Sequence, residues 1–278
     1  MIMSERSLLI TGCSSGIGLD AARGMRARGW RVFASCRKEA DCARLREEGF
    51  ESPRIDYADE ACIESGLAEV LDATGGRLDA LFNNGAYACP ALVEDLPRGA
   101  LREIFEANVF GWHDLTRRAI PAMRAQGYGR IVQNSSVLGL VAIGWRGAYV
   151  STKFAIEGLT DALRIEMRGT GIHVSLIEPG PVTSKIRENA RAPFERWIDW
   201  ENAHRAAEYR DRLRPRLYGD YSKDRFELPA SAVTTRLIHA LESPRPRARY
   251  YVTTPTYLMG TLRRILPTRA LDWVISKG

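Results

Sequence analysis

The chain of 278 residues has little lysine and little histidine. Its 40 basic residues include only five lysines, and it has four histidines. Arginine therefore carries almost all of the positive charge, and the formal net charge is +6. That excess is too small to indicate a nucleic-acid partner by itself, and we expect none. Because a compact ammonium and a planar guanidinium bind differently, each lysine needs a reason not to be arginine.

The sequence also lacks paired cysteines and long apolar runs. Its five cysteines are scattered through the first third without metal-ligand spacing (Cys13, Cys36, Cys42, Cys62 and Cys89). An odd, scattered set argues against a disulfide framework and a zinc site, and we expect no bound metal. No run approaches the roughly 18 apolar residues of a membrane span. The first six residues are polar and show no signal peptide. We therefore expect a cytoplasmic protein.

Short apolar runs alternate with helical patterns over the first two-thirds of the chain. The candidate strands are Ser7–Ile10, Arg31–Ser35, Arg54–Asp56, Leu78–Asn83, Gly129–Asn134, His173–Glu178 and Arg249–Thr253. The candidate helices include Leu19–Arg28, Glu60–Ala73, Leu101–Met123 and Tyr149–Arg168. This alternation predicts an α/β fold: one doubly wound, Rossmann-type parallel sheet of about seven strands, with helices on both faces. A single domain, 1–278, accounts for it, with ligands at the carboxyl ends of the strands.

Two segments depart from the alternation. Residues 184–226 are rich in charge, and Phe194, Trp197 and Ile198 lie at helical spacing within them. This segment is either a solvated surface excursion or a lid over the ligand pocket. The tail, 256–278, reads as two short amphipathic pieces separated by Pro267. Packing on the domain or on a second subunit is the expectation, with peripheral membrane contact as the alternative.

A glycine-rich loop follows the first strand and leads into the first helix. It reads Thr-Gly-Cys-Ser-Ser-Gly-Ile-Gly, and its candidate cofactor-binding residues are Gly12, Ser14, Ser15, Gly16, Ile17 and Gly18. The glycines permit a tight turn and a close approach to a pyrophosphate. Free N–H groups at the helix N-terminus would then bind the phosphates.

The residues after the second strand predict which dinucleotide binds. An NAD enzyme usually has a carboxylate here for the ribose 2′-hydroxyl, but none occurs before Glu39. Arg37 can instead donate two hydrogen bonds to a 2′-phosphate, with help from Ser14 or Lys38. The sequence therefore predicts NADP(H).

Tyr149 and Lys153 are four residues apart at the start of a candidate helix, so their side chains share one face. A tyrosine with a reference pKa of about 10 is a poor base at neutral pH. A neighbouring cation, together with the positive ring of an oxidised nicotinamide, should lower that pKa. We therefore expect Tyr149 to be the general acid/base that exchanges a proton with an alcohol or carbonyl oxygen.

Taken together, the motifs resemble those of the short-chain dehydrogenase/reductase family. The matching marks are the loop of Gly12, Gly16 and Gly18, the run Asn83-Asn84-Gly85-Ala86, Asn108, Ser136, the pair Tyr149 and Lys153, and Pro179-Gly180 followed by Val182 and Thr183. They span residues 11 to 183. The Asn-Gly-Ala-Tyr stretch and the long insertion also resemble the hydroxysteroid and retinol dehydrogenase-like branch.

The resemblance implies roles for residues that spacing alone does not assign. Ser136 would hold the substrate oxygen, with Ser135 as the alternative, Lys153 would bind the nicotinamide ribose, and Asn108 would hold a water for proton relay. Asp56 would contact the adenine ring. Further cofactor contacts are implied for Asn83, Gly85, Tyr149, Pro179, Val182 and Thr183. His113 and His173 are expected to be structural.

The resulting prediction is an NADP(H)-dependent oxidoreductase acting on a hydrophobic alcohol or ketone that is steroid-, retinoid- or lipid-like. The aromatic lid and apolar tail suggest the hydrophobic substrate. A non-catalytic, NADP(H)-sensing regulatory protein on the same fold is the alternative. The resemblance implies a homodimer or homotetramer.

Overall fold

The computed structural model describes residues 6–220 and 223–277. Within these residues six strands form one parallel sheet in the order β2-β1-β3-β4-β5-β6. The strands are β1 Ser7–Ile10, β2 Arg31–Ala34, β3 Ala80–Asn83, β4 Gly129–Asn134, β5 Ile172–Glu178 and β6 Arg249–Tyr251. The order reverses beside β1, so the predicted doubly wound sheet is confirmed.

The helices occupy both faces of this sheet. Their bounds are α1 Gly16–Arg26, α2 Glu39–Glu47, α3 Glu60–Thr74, α4 Arg98–Phe105, α5 Gly111–Ala125, α6 Gly147–Glu166, α7 Ile186–Asn189, α8 Arg191–Trp197, α9 Ala206–Glu208, α10 Arg214–Tyr218, α11 Ser231–Glu242, α12 Thr254–Ile265 and α13 Thr268–Ser276.

Side chains of β1 alternate between two cores. Leu8 and Ile10 pack with α1 and α11 on one face, whereas Leu9 packs with α3 and α5 on the other. All three side chains are fully buried. This alternation is the period-two pattern of a strand that is covered on both faces.

One candidate strand, Arg54–Asp56, is absent. Beyond β2 the structure has only two isolated bridges, Phe33 with Glu51 and Cys36 with Arg54. Pro53 separates them and has no backbone N–H to donate, so a continuous ladder cannot form there. The sheet therefore ends at β2.

The candidate helix Leu101–Met123 is divided into α4 and α5. Between them lies one turn of π-helix, Glu106–Phe110. Such wider turns are rare, and many occur at functional sites. Here the turn carries Asn108, whose side chain is fully buried.

The lid segment folds into the short helices α7 to α10, apart from residues 221 and 222, which lie outside the described part. Phe194, Tyr209, Leu213 and Leu217 are buried in one apolar cluster with Ile104 of α4. The segment is therefore packed on the domain and is not only a solvated excursion.

The tail forms α12 and α13, as its two amphipathic pieces predict. Leu271 is buried against the domain, while Leu258, Ile265 and Trp273 are exposed. No helix among the described residues is long and apolar enough to cross a membrane.

Candidate active site

The glycine loop between β1 and α1 is closely packed. Gly12 and Gly16 have φ of 69° and 56°, a region that favours glycine. A Cβ on Gly12 would lie 2.6 Å from the Gly85 Cα, and one on Gly18 would lie 2.3 Å from the Gly12 carbonyl oxygen. The first turn of α1 contains no acidic residue. These features fit a dinucleotide pyrophosphate, which needs close backbone approach and a helix N-terminus free of negative charge.

Polar contacts from β3 hold this loop in place. The Asn84 backbone N–H donates to Thr11 Oγ1 at 2.9 Å, and Asn84 Nδ2 donates to the Thr11 carbonyl at 3.0 Å. Asn134 Nδ2 donates to Asn84 Oδ1 at 2.8 Å. Asn84 therefore links the glycine loop to the end of β4.

The side chain of Asn83 turns away from this loop. It accepts a hydrogen bond from Tyr57 Oη at 2.6 Å and donates to Thr116 Oγ1 at 2.9 Å. Asn83 is fully buried, whereas its neighbour Asn84 lines the cavity. Successive side chains of a strand point to opposite faces, so the alternation predicts only that one of the two asparagines faces the loop.

A cavity of about 400 Å³ opens at the carboxyl ends of the strands. The predicted residues that line it are Gly12, Ser14, Ser15, Gly16, Ile17, Gly85, Ser136, Tyr149, Lys153, Pro179 and Val182. The predicted residues that do not line it are Gly18, Arg37, Asp56, Asn83, Asn108 and Thr183. The structure thus brings the loop and the Tyr149–Lys153 face of α6 to one site.

Tyr149 lies in the wall of this cavity and is 8% exposed. Its hydroxyl is hydrogen-bonded to the Ser136 hydroxyl, which acts with the charge of Arg146 to lower its pKa. Burial is the larger effect and raises the pKa of Tyr149 to about 12. The expected lowering of this pKa is therefore not produced by the protein's own groups.

Lys153 is almost completely buried beside Tyr149. Its ammonium donates to the Asn134 carbonyl at 2.8 Å and lies 4.3 Å from the centre of the Trp112 ring. Burial lowers the pKa of Lys153 to about 7, and the carboxylate of Glu157 partly opposes this. The ammonium faces the Tyr149 ring and is 5.4 Å from its centre. It forms no ion pair with a carboxylate of the described residues.

Asn108 stabilises the wall behind the cavity. Its amide accepts from the Tyr87 backbone N–H at 3.1 Å and donates to the Tyr87 carbonyl at 2.9 Å and to Thr152 Oγ1 at 3.3 Å. The π turn thereby connects the loop after β3 to α6, the helix that carries Tyr149 and Lys153. The water-holding role of Asn108 stays a prediction.

Arg37 follows β2 on the exposed side of the loop. The next carboxylate, Glu39, is engaged by Arg46 at 2.5 Å. No acidic side chain among the described residues pairs with Arg37. Arg44, which sequence reasoning missed, donates to the Ser14 carbonyl at 2.8 Å and pairs with Glu48 at 2.9 Å, so it anchors the loop.

Two predicted cofactor residues make local contacts instead of lining the cavity. Asp56 accepts from the Ala58 backbone N–H at 3.1 Å. Thr183 donates its hydroxyl proton to Glu227 at 2.6 Å. Their contacts with a cofactor stay predictions.

The family model described as short chain dehydrogenase matches residues 6–194. The chain belongs to the short-chain dehydrogenase/reductase family. The match covers more than half of the chain, so the protein is an oxidoreductase of that family.

Similar proteins extend the match along the whole chain. An uncharacterized oxidoreductase of Escherichia coli K12, YbbO, is 38% identical over 98% of this chain and 94% of its own. The NADPH-dependent 3-dehydrocapnine reductase of Ornithobacterium rhinotracheale is 29% identical over 98% and 96%. Human 17-beta-hydroxysteroid dehydrogenase type 1 is 29% identical over 90% and 78%.

A solved structure shows the same likeness. A short-chain dehydrogenase/reductase of Burkholderia phymatum, in complex with NAD, has a TM-score of 0.77 and 26% identity, over 98% of this chain and 95% of its own. Nicotinamide cofactors are thus bound within the family.

Proposed function

We propose that this oxidoreductase uses NADP(H) and acts on a hydrophobic alcohol or ketone that is steroid-, retinoid- or lipid-like. The observation that carries the proposal is that Ser136, Tyr149 and Lys153 line one cavity with the glycine loop. The nicotinamide would supply or accept the hydride. What remains for the protein is to orient the carbonyl and to move one proton.

Tyr149 is the proposed proton donor in the reductive direction. With a pKa of about 12 it remains protonated at neutral pH, so its hydroxyl can give a proton to the carbonyl oxygen as that oxygen becomes an alcohol. Ser136, whose hydroxyl is bonded to Tyr149, is placed to share that oxygen. Lys153 supplies a buried positive charge next to them.

Replacing Tyr149 with Phe tests this role. We expect turnover of ketones with NADPH to fall by about 10²–10⁴-fold, because the acid/base group is gone. The dissociation constant for NADPH should remain close to that of the wild type, as measured by the quenching of protein fluorescence. Tyr218→Phe, a change in an exposed lid tyrosine, serves as the control. Unchanged turnover in Tyr149→Phe would remove the residue from the mechanism and favour a cofactor-sensing protein.

The preference for NADP(H) rests on Arg37. Its guanidinium has no acidic partner in the described part of the chain, and the nearby Glu39 is held by Arg46. A 2′-phosphate would supply the missing anion beside the loop, which Arg44 holds through the Ser14 carbonyl.

Measuring NADPH and NADH affinity side by side checks the preference. We expect the wild type to bind NADPH at least about tenfold more tightly, and Arg37→Gln to lose most of that difference, because charge-assisted contacts to the phosphate are removed. The control variant Arg23→Gln, on the exposed side of α1, should keep the wild-type preference for NADPH. Tighter binding of NADH by the wild type would overturn the assignment.

A further inference from the structure

The active-site cavity is lined by more cations than the proposed mechanism uses. Among the described residues that line it, five are cationic and two are acidic: Arg146, Lys153, Lys185, Arg187 and Arg216 against Asp224 and Glu227. Lys153 has a place in the proposed mechanism. Lys185 and Arg187 follow Ser184, which lies beside Gly16 of the glycine loop, so their charge can serve the dinucleotide phosphates. Arg146 and Arg216 have neither role, and they line the same cavity as Leu138 and Ile143.

Arg146 is the innermost of these arginines. It immediately precedes α6 and is three residues before Tyr149. Burial lowers the pKa of its guanidinium, and the positive charges of Arg216 and Arg187 lower it further. No acidic side chain in the described part of the chain pairs with it. Arg146 is half-buried, and partial removal of a cation from water without a counter-charge is unfavourable, so an arriving anion would stabilise it.

The arginines come from three separate segments of the chain. Arg187 belongs to α7 and Arg216 to α10, both in the lid, while Arg146 comes from the loop after β4. Like charges repel, so placing the guanidiniums of Arg146 and Arg216 around one cavity is unfavourable unless they share an anionic ligand.

Asp224 and Glu227 are the two acidic residues of the cavity among those that the structure describes. Glu227 accepts hydrogen bonds from the Thr183 hydroxyl at 2.6 Å and from the Asp224 backbone N–H at 3.3 Å. Neither acid forms an ion pair with Arg146 or Arg216. Arg146 and Arg216 therefore face the cavity without an acidic partner among the described residues.

We propose that the substrate carries an anionic group, which Arg146 and Arg216 bind close to the reacting carbonyl, while its apolar part lies against Leu138, Ile143 and Ile186. This inference rests on the proposed oxidoreductase function and narrows its substrate from a hydrophobic ketone to an anionic amphiphile. The charge of Arg146 acts on the Tyr149 hydroxyl, so we expect the anion to lie only a few bonds from the carbonyl carbon.

A pair of substrates that differ in charge and by one methyl group tests the inference. The probes are 4-oxodecanoate and its methyl ester, assayed with NADPH at constant ionic strength. We expect kcat/KM to be at least about tenfold higher for the acid, because guanidinium–carboxylate contacts are charge-assisted. Arg146→Gln and Arg216→Gln should each reduce that ratio towards one. The readout is the ratio of the two kcat/KM values, because Arg146 also affects the pKa of Tyr149. That effect is the same for both substrates and cancels in the ratio.

Arg210→Gln is the matched control. Arg210 is an exposed lid arginine outside the cavity, so its loss removes the same charge without touching the site. We expect the acid-to-ester ratio of Arg210→Gln to equal that of the wild type. A wild-type ratio near one, or an equal fall in Arg210→Gln, would overturn the inference.

Binding of unreactive ligands separates this inference from the proposed function. Calorimetric titration of the NADPH-saturated protein should show decanoate binding at least about tenfold more tightly than decan-1-ol, with the difference lost in Arg216→Gln. Selective binding without turnover of either probe would retain the anion site and count against the proposed carbonyl chemistry. Turnover without selective binding would retain the chemistry and reject the anion site.

Discussion

At the scale of single residues, Lys153 shows why this arginine-rich protein uses a lysine. Its ammonium fits between the Asn134 carbonyl and the face of the Trp112 ring, at 2.8 and 4.3 Å. A planar guanidinium has five N–H donors and is too broad for a site with one acceptor. The same burial lowers the pKa of Lys153 to about 7. A charge that is useful to the chemistry therefore destabilises the fold.

Replacing Lys153 with Met should separate these two effects. Since the pKa is about 7 in the folded protein and 10.5 ordinarily, the wild type gains stability as pH rises between these values. Lys153→Met lacks this dependence. We expect the Tm of Lys153→Met to exceed that of the wild type at about pH 6.5, by about 2–4 °C for each kcal/mol of stability gained. The difference between the two Tm values should be smaller at about pH 9.5. Calorimetry at both pH values measures it, with the exposed Lys185→Met as control. A lower Tm at both values would contradict the argument.

At the scale of elements, α6 carries a strip of four functional side chains at intervals of four residues. Tyr149, Lys153, Glu157 and Asp161 share one face of the helix. Glu157 is buried and is bonded to Arg249 of β6. Its negative charge acts to raise the pKa of Lys153. We infer that Glu157 is a positioning residue that keeps the lysine charged.

The variant Glu157→Gln tests that inference through a pH profile. Without the carboxylate the pKa of Lys153 should fall further, so the ammonium is lost at lower pH. For carbonyl reduction, kcat/KM should therefore decline with rising pH earlier than in the wild type, by up to about one pH unit. The control variant Asp161→Asn removes another carboxylate bonded to Arg249 and should leave the pH profile of kcat/KM unchanged. Coincident profiles for Glu157→Gln and the wild type would exclude the role.

At the scale of the whole molecule, Arg249 connects the last strand to the catalytic helix. It bonds to Glu157 and Asp161 of α6 and to Glu178 of β5. Burial raises the pKa of Glu178 to about 8, with the nearby Glu157 adding to this and Arg249 opposing it. Two of the three carboxylates are buried, so the guanidinium on β6 holds together carboxylates from two other elements, α6 and β5.

Replacing Arg249 with Met should destabilise the protein by about 3–5 kcal/mol, because buried carboxylates lose their partner. The loss should grow with pH. A carboxyl whose pKa is raised in the folded protein lowers the stability of the fold as pH rises from the ordinary pKa of 4.5 through the raised pKa. Thermal unfolding at about pH 5.5 and about pH 8 measures this, against Arg263→Met on the exposed side of α12. A Tm equal to the wild type at about pH 8 would contradict the anchoring role.

Local spacing was enough to predict much of this protein. The apolar strand runs, the glycine loop and the four-residue interval between Tyr149 and Lys153 depend on contacts between near neighbours. Such contacts follow from the period of a strand or helix, so the sheet and the two halves of the site could be inferred. The family followed from the same motifs in their order.

Tertiary structure decided what distant segments do to one another. Which of Asn83 and Asn84 faces the glycine loop depends on the register of β3 in the sheet. The cluster of Arg146, Arg187 and Arg216 exists only because the lid folds back over the start of α6. The pKa values of Tyr149 and Lys153 follow from burial by many elements, and burial is a property of the packed molecule that sequence spacing does not contain.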